Sequence, residues 1–111
     1  MIEAIVSDYL REELGIPVFM EEPSERLDSY IVIEKTSGGN NNQIESATLA
    51  IQSYGKSLYE AALLNEEMKK ALAHITDLDD ISSAKLNSDY NYTDTARKKY
   101  RYQAVFDFIY F

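Results

Sequence analysis

Residues 99–111, KYRYQAVFDFIYF, carry the pattern that most restricts the fold. In an extended strand, side chains alternate between faces. Tyr100, Tyr102, Ala104, Phe106, Phe108 and Tyr110 then share one face, and Arg101, Gln103, Val105, Asp107, Ile109 and Phe111 share the other. Both faces are substantially apolar toward the end of the segment. Such a strand belongs in the interior of a sheet, or turns one side toward another subunit. The weaker segment 81–92, ISSAKLNSDYNY, precedes it and supplies a hairpin partner.

The first half of the chain provides a second hairpin. Residues 29–36, SYIVIEKT, are rich in β-branched and aromatic types and run into SGGNNN. From Ile44 the alternation resumes, with Ala47, Leu49 and Ile51 on one face and Thr48, Ala50 and Gln52 on the other. The intervening Ser37, Gly38, Gly39, Asn40, Asn41, Asn42 and Gln43 read as a mobile loop, too long and glycine-rich to be a tight turn. That loop is a candidate partner-binding segment that orders when it meets its target.

Two segments have helical period instead. Ile2, Ile5, Val6, Tyr9, Leu10 and Leu14 fall on one side of a helix that Gly15 stops and Pro17 keeps from resuming. Ile16–Met20 is a short extended piece, suited to an edge because Pro17 lacks an amide hydrogen. Leu58, Ala61, Ala62, Met68, Ala71, Leu72 and Ile75 mark a second helix, opened by a Ser57/Glu60 capping box and ending near TDLDD. Helix, hairpin, helix, hairpin predicts an α+β (α/β) fold: one domain over residues 1–111, with about four antiparallel strands and two helices on one face.

At 111 residues the chain can bury about two-thirds of its unfolded surface in one core. It has no cysteine, which removes disulfides, thiolate metal sites and cysteine nucleophiles. The start MIEAIVSDYLREEL lacks the basic opening and apolar run of a signal peptide, and no stretch approaches membrane-spanning length. The expectation is a soluble protein in the cytoplasm where it is made, without membrane contact.

No catalytic, metal or cofactor constellation emerges. His74 is the single histidine and has no neighbouring nucleophile or orienting group. Asp77, Asp79 and Asp80 lack the further ligands and the turn glycine of a calcium loop, and read as a solvated connector. SGGNNN lacks the GK[ST] ending of a phosphate loop. The expectation is a non-enzymatic protein that needs no cofactor.

Charge is unevenly spread. Within the net charge of −8, residues 1–28 carry −6, residues 77–95 carry −4 and residues 96–111 carry +3, the rest of the chain being close to neutral. Tyrosines interleaved with Arg97, Lys98, Lys99 and Arg101 raise the possibility of nucleic-acid stacking, as they would in a cellular peptide- or nucleic-acid-binding module. The remainder of the chain carries −11, which opposes sequence-independent binding of a polyanion. The four cations, with Ile109 and Phe111, are better placed to meet an acidic, partly apolar protein surface.

The stretches YIVIEKTSGGNNNQIESATLAIQSYGKS, YGKSLYEAALLNEEMKKAL and YNYTDTARKKYRYQAVFDFIYF, about residues 28–111, resemble the small tail-terminator proteins of long-tailed phages and prophages of Gram-positive bacteria. These are also labelled minor capsid or tail-completion proteins. The resemblance implies a structural virion protein at the tail–neck junction, assembled in the host cytoplasm. Its subunits would form a ring, commonly a hexamer, that caps the tail tube, ends tube polymerisation and joins tail to head. Implied partners are other copies of the chain, the tail-tube protein and a head-completion or neck protein, with DNA passing through the channel without specific binding. A head–tail connector is the neighbouring role. An acidic lumen would let DNA slide, with the first helix and residues 77–80 as candidate lining.

Overall fold

The computed structural model describes residues 1–111. In chain order the elements are α1 (Ile2–Leu14), β1 (Val18–Phe19), β2 (Tyr30–Asn41), β3 (Ile44–Gly55), α2 (Leu58–Leu72), a 3₁₀ turn (Ile75–Asp77), β4 (Ile81–Asn91) and β5 (Tyr100–Tyr110). The strands form one sheet in the order β1-β2-β3-β5-β4. The α+β architecture is as expected, with one amendment to the strand count and direction. Val18–Phe19 joins the edge as a fifth strand, parallel to β2, so the sheet is mixed. Pro17 contributes here through its carbonyl, which accepts from the Ile31 amide at 3.0 Å. Its missing N–H costs the ladder nothing.

The helices start and stop for local reasons. Gly15 takes the left-handed conformation (φ 64°), and its amide closes α1 on the Arg11 carbonyl at 2.8 Å. At α2 the Ser57 hydroxyl accepts from the Glu60 amide at 3.1 Å, the expected first half of the capping box. The second half differs: Ser57 Oγ donates to the Glu60 carboxylate at 3.4 Å. The helical segment ends at Leu72, and Ile75 enters the core from the following 3₁₀ turn.

Both helices pack on one face of the sheet. Ile2, Val6 and Leu10 from α1, and Met68 and Leu72 from α2, meet Ile31, Ile33, Leu49, Ile51, Phe106 and Phe108. The alternation read in β3 and β5 is therefore borne out: Leu49 pairs with Phe106, and Ala47 with Phe108, on the helix side. The two-sided character of β5 has its expected cause, because it lies between β3 and β4.

The segment expected to be a mobile loop is instead mostly strand. Ser37 to Asn41 pair with Thr48 to Ile44 after a bulge between Lys35 and Ser37, leaving only Asn42 and Gln43 as a two-residue turn. Both turn residues have positive φ (53° and 66°), the backbone required by a type I′ hairpin. Asn tolerates that conformation, and the paired backbone overrides the loop preference of Gly38 and Gly39. Register outweighs composition in this segment.

The Gly55 conformation is imposed by packing rather than by a turn. A Cβ there would lie 2.5 Å from the Ala61 amide nitrogen, so β3 can reach the first turn of α2 only without a side chain at this position.

Candidate functional site: a groove at one end of the open sheet face

The sheet face away from the helices is partly covered by residues 20–29, which run from β1 back to β2. Phe19 and Leu27 pack on Tyr30, Val32 and Tyr54. Glu22 forms an ion pair with Lys99, tying this connector to the β4–β5 turn. Tyr30 and Tyr54 stack beneath it with ring centroids 4.4 Å apart and planes 10° from parallel. Burial, followed by Tyr54 and Glu22, pushes the Tyr30 hydroxyl up to about 12.

A groove of about 610 Å³ opens beside this strap. Its walls are residues 23–28 and the turn segment Arg97, Lys98, Lys99 and Tyr100; Tyr30, Tyr54, Gly55 and Lys56 complete the lining. Five cations line it, Arg26, Lys56, Arg97, Lys98 and Lys99, against the carboxylates Glu25 and Asp28. Lys99 is committed to Glu22, and Arg97 lies 3.8 Å from Asp94. Arg26, Lys56 and Lys98 take part in no ion pair or hydrogen bond.

The turn that presents these cations is closed on itself. Asp94 and Lys99 exchange two backbone hydrogen bonds, each of 3.0 Å, and the Arg97 amide donates to Asp94 Oδ1 at 3.2 Å. Lys98 adopts φ 53°, an unfavourable conformation for a residue with a Cβ. Glycine would be the unstrained choice, yet a lysine stands there, exposed at the groove.

Arg101, grouped with these cations in the sequence reading, has a different role. Its guanidinium lies 5.7 Å from the Tyr54 ring centroid and 4.6 Å from that of Tyr92. It donates to the Tyr92 carbonyl at 2.7 Å and to the Tyr54 hydroxyl at 2.9 Å. Tyr54 in turn donates to Gln52, Gln52 to Gln103 at 2.8 Å, and Gln103 to Tyr90. The result is a polar chain of five side chains on the open face, in which both buried amides, Gln52 and Gln103, find partners. Arg101 thus ties β3 and the end of β4 together from β5.

Farther along the same face, Asp107 accepts from Thr48 at 2.7 Å and from Asn87 at 3.0 Å. The Asn87 and Thr48 hydrogen bonds hold its carboxyl below the ordinary value of 3.8. On the helix side, Asp89 binds Lys69 and accepts from Asn65 at 2.8 Å, joining β4 to α2.

Ile109 and Phe111 lie at the other end. They are 42% and 65% exposed, and the pairing of Glu45 with Tyr110 brings Ile44, 47% exposed, opposite Phe111. The Phe111 amide donates to the Asp80 carbonyl at 3.0 Å, so the backbone of Asp80, which follows Asp79, runs beside Phe111. At a rise of about 3.3 Å per residue, β5 separates the two ends by roughly 33 Å. The residues expected to form one interface thus fall into two. Arg26 and Lys56 were missed because nothing local marks them: Arg26 is hidden in the acidic EEPSERLD, and Lys56 is an isolated residue between β3 and α2. No group of three His, Asp or Glu side chains is placed to hold a metal, and no helix is long and apolar enough to cross a membrane.

A scan of the chain against protein-family models and a search of curated proteins return no match.

Proposed function

We propose that this chain is a virion assembly subunit of the tail-terminator kind: a structural protein that caps a phage tail tube, ends its polymerisation and joins tail to head as a ring of copies around a DNA channel. One observation carries the reading beyond the resemblance of residues 28–111. A single sheet carries two unlike exposed features at opposite ends, the cationic groove and the apolar group Ile44, Ile109 and Phe111. A subunit that must touch neighbouring copies, a tube and a neck needs several such surfaces, and a heterologous contact between unlike ones builds a ring when its rotation closes. The −8 net charge favours a channel along which DNA moves without adhering.

The test is tube assembly in vitro. Purified tail-tube protein, allowed to polymerise with and without this chain, is imaged by negative-stain electron microscopy. Shortened tubes carrying extra density at one end are expected; tubes of unchanged length with bare ends would remove the proposal.

A further inference from the structure

The two ends of the sheet complement each other. One offers a groove with a Tyr54 floor and three cations, Arg26, Lys56 and Lys98, that have no partner in the subunit. The other offers exposed Ile44 and Phe111, with the Phe111 amide bonded to the carbonyl of Asp80, which like its chain neighbour Asp79 is exposed. They lie at opposite extremes of a molecule 45 Å long. No single subunit can bring them together.

We infer that the Ile44/Phe111 end of one copy, with Asp79 and Asp80, docks into the groove lined by Arg26, Lys56 and Lys98 of the next. An apolar projection that fits a pocket elsewhere on the same molecule makes a head-to-tail contact, which closes into a ring or extends as a filament. Charge sets the direction. Glu25 and Asp28 on the groove wall disfavour an acidic group that enters without pairing with the cations. The Lys98 backbone supports the assignment: a left-handed position is filled by lysine, and the closed Asp94–Lys99 turn holds that side chain at the rim. The inference rests on the self-association contained in the proposed function, and names the two surfaces that meet.

The experiment is sedimentation velocity over a concentration series at low and at moderate salt, with thermal melts as a folding control. The wild-type chain should self-associate, and its association constant should fall at least tenfold as salt is raised. Lys56→Glu/Lys98→Glu should weaken association at least tenfold, and Asp79→Lys/Asp80→Lys should do the same. Combining all four substitutions should restore it, because both ends then carry reversed but complementary charge. Lys98→Gly removes one cation while relaxing the backbone, so weaker association with an unchanged or higher melting temperature supports the contact. Association that persists in both reversal variants overturns the inference while leaving a ring through another face available to the proposed function. A wild-type chain that stays monomeric at all concentrations also overturns it. If that monomer still shortens tail tubes, the capping function stands without this contact; if it does not, both fall.

Discussion

Replacing Arg101 by methionine separates a structural cation from an interfacial one. Methionine keeps much of the apolar stem but loses both hydrogen bonds, to the Tyr92 carbonyl and the Tyr54 hydroxyl, and the cation near the Tyr54 and Tyr92 rings. A hydrogen bond from a charged donor contributes about 1.5–3 kcal/mol when buried. Each cation–π contact adds about 0.5–1 kcal/mol at an exposed site. Arg101 is only half-buried, so solvent screening brings the sum to about 2–3 kcal/mol. With a urea slope of about 1.5 kcal/mol per molar, the unfolding midpoint should drop by roughly 1.3–2 M. Arg101→Lys should lose more than half as much, since an ammonium cannot hold both acceptors while lying over the Tyr92 ring. A cycle with Tyr54→Phe should give a coupling of about 1 kcal/mol. The measurement is urea unfolding followed by far-UV circular dichroism. If Arg101→Met moves the midpoint by less than about 0.3 M, which corresponds to about 0.5 kcal/mol, the structural role is wrong.

Gly55→Ala should destabilise the fold by about 1–3 kcal/mol, because its methyl group meets the Ala61 amide; an unchanged thermal midpoint would contradict that approach. Lys98→Gly should stabilise the fold by up to about 1 kcal/mol in the same urea assay through relief of the left-handed lysine. Asp107 has a folded pKa below its unfolded value of 3.8, so its contribution is complete above that pH and is lost as pH falls through the lower folded value. The urea midpoint should decline on acidification below about pH 4, and Asp107→Asn should flatten that decline; identical pH profiles would refute the assignment. Tyr30, raised to about 12, contributes stability below the ordinary tyrosine value of 10.0 that disappears as pH rises from there toward 12. Tyr30→Phe should therefore lessen the alkaline loss of stability followed by circular dichroism.

Periodicity determined most of the fold because side chains that must leave water announce their spacing. The sequence by itself fixed the helix–hairpin–helix–hairpin order, the Gly15 stop, the Ser57 cap and the face assignment of β3 and β5, since each depends on residues within a few positions of one another. What was illegible depends on contacts between distant residues. Pairing with β3 kept Ser37 to Asn41 extended against their composition, and pairing with β2 gave the expected edge segment its parallel direction. The cation cluster was visible, but not its division: Arg101 is taken by Tyr54 and Tyr92, Lys99 by Glu22, 77 positions away, while Arg26 and Lys56 arrive at the groove from separate elements. Periodicity reports which side of a strand faces the core, whereas the availability of a charge depends on what the folded chain brings beside it. Only the tertiary structure decided that.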